Sequence, residues 1–107
     1  YFAIGSHQRA LQDFSKAISY DPEGDRGYAN RGLCYRVMKK YEKALKDFDQ
    51  ALTINPNRPD SYFGRAQAHY DMQQFELALA DCEKALYIHS GYQPARELIK
   101  TLHREQT

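Results

Sequence analysis

Apolar and small residues occur along the chain at the spacing of α-helices. Tyr28, Arg31, Gly32 and Tyr35 are separated by three, four and seven residues, which places them on one stripe of a helix. A second stripe of this kind contains Tyr41, Ala44, Leu45, Phe48, Ala51, Leu52 and Ile54. The chain contains no run in which apolar and polar residues alternate as they do in a β-strand. The pattern therefore predicts an all-α fold.

Proline and glycine indicate where these helices end. Pro56 cannot continue a helix and disfavours helical geometry at Asn55, so the helix that contains Phe48 should end there. Pro22 should end the preceding helix in the same way. In the third segment Gly91 stands near the corresponding place, and we expect it to adopt the left-handed conformation that closes many helices.

The pattern repeats with a period of 34 residues. Residues 28–56 align without a gap on residues 62–90, and residues 7–22 align on residues 41–56. Tyr, Arg, Met, Glu, Ala, Leu, Asp and Ile are all found at shared places in the first alignment. A fixed period over three units indicates an array in which each unit is one pair of helices. The connections between the helices are short, which predicts antiparallel neighbours.

The small residues within each unit have a steric role. Gly32 and Ala44 in one unit, and Ala66 and Ala78 in the next, should let the backbones of two helices approach closely. Aromatic residues such as Phe48 should fill the space beside them. We therefore expect these positions to form the core.

This unit resembles the tetratricopeptide repeat, a helix–turn–helix unit of 34 residues. The family places aromatic residues, small residues and a proline at eight positions. Residues 25–58 match with Tyr28, Gly32, Tyr35, Tyr41, Ala44, Phe48, Ala51 and Pro56. Residues 59–92 carry Tyr62, Ala66, His69, Phe75, Ala78, Cys82, Ala85 and Ser90 there. His69, Cys82 and Ser90 depart from the pattern.

The resemblance implies a single domain, an α-solenoid of stacked antiparallel helix pairs that form a right-handed superhelix. Residues 1–24 would be a partial repeat that consists mainly of its second helix. Residues 25–58 and 59–92 would be full repeats, and residues 93–107 a C-terminal capping helix. Tyr1 falls inside a helix hairpin in this register, so we expect the chain to be part of a longer array.

The resemblance also implies a binding groove, because in this family the first helix of each repeat lines the concave face. The residues expected there are Arg26, Asn30, Leu33, Arg36 and Val37, followed by Asp60, Phe63, Gln67, Tyr70 and Asp71. Ala29 and Gly64 belong to the same set, and Gly64 should leave room for close approach. We expect an extended or helical segment of another protein to bind there, with Phe63 and Tyr70 as apolar anchors. The amide of Asn30 can pair with a peptide backbone.

Three other functions fit the resemblance less well. Some family members hold the carboxylates of chaperone tails, and Asn30 matches one element of that clamp. Asp60 and Gly64 stand where lysine and arginine are needed, and an aspartate repels a carboxylate. A spacer or self-associating role is open, through Leu11, Phe14 or Ile18 on the helix of residues 7–20. RNA binding by a related helical repeat is the third.

Residues capable of catalysis or metal binding do not form a recognisable motif. The four histidines lack HExxH spacing, and no glycine-rich phosphate loop occurs. Cys34 and Cys82 have no CxxC neighbour, and we expect both to be small buried residues. We therefore predict that the chain is not an enzyme and uses no metal or cofactor.

Charge and hydropathy narrow the range of partners. The chain has 15 basic and 14 acidic residues, which argues against a groove that neutralises nucleic-acid phosphates. No apolar run approaches the roughly 18–20 residues that cross a bilayer, so we expect no membrane partner. The isolated cysteines suggest a reducing compartment, and the sequence predicts an intracellular, cytoplasmic location.

Overall fold

The computed structural model describes the backbone of residues 4–105 and the side chains of residues 6–105. This part of the chain contains helices and no strands. The helices are α1 (Ile4–Tyr20), α2 (Asp25–Val37), α3 (Tyr41–Ile54), α4 (Pro59–Asp71), α5 (Phe75–Ile88) and α6 (Gln93–Glu105). The prediction of an all-α fold is confirmed. The first helix begins three residues earlier than the expected segment, which started at His7.

The helices group into two compact units, and the boundary lies between Pro56 and Asn57. In the first unit α2 packs against α3 and also against α1. In the second unit α4 packs against α5, which also packs against α6. The pairs α2–α3 and α4–α5 are the two helix pairs that the period of the sequence predicts.

Small residues allow close packing in the core of the first unit. Phe48 is 1% exposed, and Ala44 and Ala51 are fully buried beside it along α3. A Cβ atom built on Gly32 would lie 3.1 Å from ring carbons Cε1 and Cζ of Phe48. Glycine at this place therefore lets α2 lie directly on the aromatic ring. In the second unit the corresponding residues Ala66 and Cys82 are both fully buried.

The ends of the helices agree with the expectation at one place and differ at another. α3 ends at Ile54, and Asn55 is extended with φ −138°, as the following proline predicts. The expectation for Gly91 is wrong, because no glycine whose conformation is described has a positive φ. α5 ends in the same way as α3, with His89 extended at φ −140°, so no left-handed residue is needed there.

Left-handed residues lie instead in the turns within each helix pair. Lys39 has φ 64° and Gln73 has φ 62°, and both occupy the same repeat position. The amide of Lys40 donates to the carbonyl of Tyr35 across this turn, and Gln74 donates to His69 in the second pair. The tight reversal between the paired helices imposes this conformation on residues that do not favour it.

An ion pair joins the two helices of each pair. The Arg31 guanidinium donates from Nε and Nη2 to the two carboxylate oxygens of Asp47, both at 2.8 Å. Arg65 makes the same two bonds to Asp81 at 2.8 and 2.7 Å. The hydrogen bond to Asp47 raises the pKa of Arg31 above its ordinary value, although burial acts against it. The arginine stripe seen in the sequence thus connects the paired helices.

Both cysteines are buried free thiols, as expected from the sequence. Cys34 lies on α2 with its Sγ 3.5 Å from the carbonyl oxygen of His7. Burial raises the pKa of Cys34. Burial and then the charges of Asp81 and Glu83 raise the pKa of Cys82 to about 12.

We expect Cys82 to resist alkylation by iodoacetamide in the folded protein at pH 8. The thiolate is the reactive form, and a thiol with a pKa near 12 is ionised roughly a thousandfold less than an ordinary cysteine at this pH. Mass spectrometry of tryptic peptides over time should show modification at Cys82 at least about a hundredfold slower than in guanidinium. The Cys34→Ser and Cys82→Ser variants serve as controls. Equal rates at Cys82 in folded and unfolded protein would contradict its burial.

Candidate functional site

The face of α2 carries the most exposed apolar side chains of the predicted groove. Leu33 is 39% exposed and Val37 is 53% exposed. Together with Asn30 they border a hollow of about 180 Å³, which is closed on its other sides by His7, Ala10, Phe14 and Cys34. The structure therefore brings three of the predicted residues together around one largely apolar depression.

Two predicted residues of α2 lie outside this hollow. Arg26 is half-buried, and its Nη1 atom lies 4.0 Å from a carboxylate oxygen of the buried Asp25. Arg36 is half-buried in the last turn of α2, where a cation interacts favourably with the C-terminal end of a helix. Both arginines therefore contribute charge beside the hollow instead of forming its walls.

The face of α4 in the second unit is more polar. Asp60 is exposed in the first turn, and Gln67 and Asp71 are half-buried further along the helix. Phe63 and Tyr70 are also half-buried. The second unit therefore presents two aromatic rings that are separated by polar side chains.

Both aromatic residues of α4 already contact other parts of the second unit. The Phe63 ring meets Tyr92 edge to face, with centroids 5.9 Å apart. The Tyr70 hydroxyl donates to a carboxylate oxygen of Glu105 at 3.1 Å, and its ring lies 5.6 Å from that of Phe75. The hydrogen bond to Glu105 raises the pKa of Tyr70. The two expected anchors are therefore oriented by their neighbours, and only part of each ring is available to a partner.

Two residues that were expected on the binding face are buried. Ala29 is 2% exposed, because α2 is covered by both α1 and α3 and little of its circumference remains open. Gly64 is buried and has no side chain that could reach the surface, so it does not provide the expected room for a ligand. The prediction is wrong at both positions.

The sequence analysis did not predict the contribution of α1 to the hollow. Ala10 and Phe14 occupy the repeat positions of Ala44 and Phe48, which are core residues in the first complete pair. This equivalence suggested that they would be covered, whereas in α1 they are half-buried. Comparing the incomplete unit with the complete ones position by position could have identified them.

The part of the chain that the structure describes contains no group of three or more His, Cys, Asp or Glu side chains that could hold a metal ion. Within the same residues, every helix is too short or too polar to cross a membrane.

Paired helices at a fixed period, each pair with an open face on its first helix, define a helical repeat protein. The tetratricopeptide repeat family model matches residues 26–58 and 59–92, so the chain belongs to the tetratricopeptide repeat family. No curated protein matches the chain.

Solved structures share the fold at low sequence identity. The first tetratricopeptide repeat domain of Spaghetti (RPAP3), bound to the HSP90 peptide SRMEEVD, has a TM-score of 0.89 and 24% identity, over 95% of this chain and 81% of that one. The OM64 domain of Arabidopsis has a TM-score of 0.90 and 21% identity, over 94% and 84%. The second domain of human RPAP3, in complex with the HSP70 peptide SGPTIEEVD, has a TM-score of 0.85 and 25% identity, over 92% and 82%.

Proposed function

We propose that the chain is a non-catalytic module that binds a peptide segment of a partner protein on the faces of α2 and α4. The observation that carries this proposal is the pair of exposed apolar side chains, Leu33 and Val37, beside the hollow on α2. Membership of a family whose structures include peptide complexes supports it.

The chemistry of the α2 face suits a peptide. An apolar side chain of the partner can enter the hollow and bury Leu33 and Val37, as apolar anchors do at interaction hot spots. Asn30 lies at the rim, where its amide can donate to a carbonyl and accept from an amide of an extended backbone. All three side chains lie on one helix, so little ordering is required when the partner binds.

The partner segment differs from the acidic tails in the similar complexes. Those HSP90 and HSP70 peptides end in Glu-Glu-Val-Asp. On α4, Asp60 is exposed where a carboxylate-binding repeat needs a cation, and the buried Gly64 supplies no charge at the next such position. We therefore propose a segment with an apolar anchor instead of a terminal carboxylate cluster.

We expect the double substitution Asn30→Ala, Val37→Glu to weaken peptide binding at least tenfold, since it removes the amide and places a charge at the hollow. Peptides selected from a phage-displayed random library on the unmodified chain provide the probe, and fluorescence anisotropy gives their Kd. Val37 is more than half exposed, so the helical circular dichroism should be retained.

Leu77→Ser is the matched control, because Leu77 is a similarly exposed apolar residue, 52%, on α5. It should leave the Kd unchanged. Equal affinity of the selected peptides for the double variant and the unmodified chain would show that the α2 face is not the site. Saturable binding of SGPTIEEVD instead would replace this proposal with a carboxylate-binding function.

The other possibilities remain predictions from the sequence. These are a spacer or self-associating role, RNA binding, and a cytoplasmic location.

A further inference from the structure

One side of α1 is open where the equivalent sides of α3 and α5 are covered. Ala10, Asp13, Phe14 and Ala17 form this side, which we call the α1 face. Ala10 and Phe14 are half-buried, and Asp13 and Ala17 are exposed. The residues at the same repeat positions in the complete pairs are between 0% and 6% exposed: Ala44, Asp47, Phe48, Ala51, Ala78, Asp81, Cys82 and Ala85.

The covering helix in each complete pair supplies an arginine. α2 brings Arg31 to Asp47 over α3, and α4 brings Arg65 to Asp81 over α5. Asp13 stands at the same position of α1 and makes no ion pair with any residue that the structure describes. A helix that covers the α1 face would therefore gain a charge-assisted, two-point contact if it carried arginine at this place.

The covering helix must also match the size of the residue beneath it. Over Phe48 it presents Gly32, and even a Cβ atom there would lie 3.1 Å from the ring. At the corresponding positions of the second unit, where Cys82 replaces the phenylalanine, α4 has Ala66. The α1 face carries Phe14, so the complementary residue is glycine.

We propose that the α1 face binds a helix of a partner protein that carries the sequence pattern aromatic-x-x-Arg-Gly-x-x-aromatic. The arginine pairs with Asp13, and the glycine lies over Phe14. The aromatic residues flank this contact, as Tyr28 and Tyr35 flank Arg31, whose guanidinium lies 5.9 Å from each ring centroid. Asp13 and Ala17 take no part in the site proposed on α2 and α4, so the two proposals can fail separately.

A second copy of this chain does not fit this pattern. Its terminal helix α6 has Ile99 and Lys100 at the positions of Arg31 and Gly32. It would bring no guanidinium to Asp13, and it would place the long Lys100 side chain against Phe14. Ile18, one of the residues considered for self-association, lies beside Gly27 of α2, where a Cβ atom would meet its Cγ1 at 2.9 Å. The structure therefore favours a different protein as the occupant.

The test uses a fluorescein-labelled synthetic peptide with the sequence of residues 25–38, in which serine replaces the cysteine. This peptide contains the required pattern. Titration with the whole chain should give saturable anisotropy. Asp13→Lys in the chain should weaken binding at least tenfold, and a peptide with glutamate in place of the residue equivalent to Arg31 should recover affinity for that variant. A peptide with leucine in place of the glycine should also bind at least tenfold more weakly.

Glu42→Lys is the matched control, because Glu42 is an exposed acid on α3, outside the α1 face. It should leave the Kd unchanged. Absence of saturable binding, or binding that Asp13→Lys leaves intact, would overturn the proposal, the latter because the peptide would then be exchanging with α2. A dimer in sedimentation equilibrium that the peptide competes away would make a second copy the occupant and would also overturn it.

Discussion

Replacement of Phe48 by alanine is expected to lower the free energy of unfolding by about 3–5 kcal/mol. The ring is 1% exposed and lies directly beneath Gly32 of α2. Neither neighbour can fill the resulting cavity, because Gly32 has no side chain and Ala44 is already in place on the same helix. Urea denaturation followed by circular dichroism should show a lower midpoint. Since a domain of this size has roughly 5–15 kcal/mol of stability, the loss is a large part of the total.

Phe14→Ala is the matched control for this prediction. Phe14 has the same repeat position and the same side chain, but it is only half-buried on the open face of α1. Its removal is therefore expected to cost about 1–2 kcal/mol. A loss at Phe14 equal to that at Phe48 would mean that the α1 face is covered in solution.

Replacement of Arg31 by methionine is expected to lower the free energy of unfolding by about 2–3 kcal/mol. Methionine keeps much of the apolar stem but leaves the Asp47 carboxylate, whose side chain is 6% exposed, without its two-point partner. Arg65→Met should have a similar effect at pH 8, since it removes the same contact from Asp81. Urea denaturation at fixed pH measures both losses.

The two arginine variants should separate when the pH is lowered. His69 Nε2 lies 3.7 Å from Asp81, and its Nδ1 lies 2.8 Å from the Gln74 carbonyl oxygen, which only a donor can approach so closely. Nε2 therefore offers Asp81 a proton only when the imidazole is charged, at mildly acidic pH. The cation then replaces part of the lost attraction, and this gain disappears as the pH rises.

The first unit supplies the control for this pH dependence. Tyr35 occupies the position of His69 there, and it carries no charge that titrates in this range. The loss in Arg65→Met should therefore be smaller at pH 5.5 than at pH 8 by more than the corresponding change in Arg31→Met. Parallel behaviour of the two variants would show that His69 does not substitute for the arginine.

Much of the fold could be predicted because its information is local and repeated. The stripe of Tyr28, Gly32 and Tyr35 has helical spacing, and the same stripe returns 34 residues later. Pro56 ends α3 through the geometry of its own ring. The left-handed turns could not be predicted in this way. Lys39 and Gln73 do not favour a positive φ, and only the pairing of the flanking helices imposes it.

The candidate site could be predicted less completely. The positions of Asn30, Leu33 and Val37 on one face follow from the family pattern, and the structure places them around one hollow. Their exposure does not follow from the pattern, since Ala29 belongs to the same predicted set and is buried. Phe63 was expected as a free anchor, yet its ring meets Tyr92, which lies almost thirty residues further along the chain.

By itself, the sequence determined the helices, their period, the pairing of α2 with α3 and of α4 with α5, and the residues that define the family. These properties depend on spacing and on side-chain size, which can be read from neighbouring positions. Only the tertiary structure decided which equivalent residues are covered. Phe48 and Phe14 have the same place in the repeat, but α2 lies over the first and the second remains partly open. Burial depends on which helix lies alongside, and that is a property of the assembled fold.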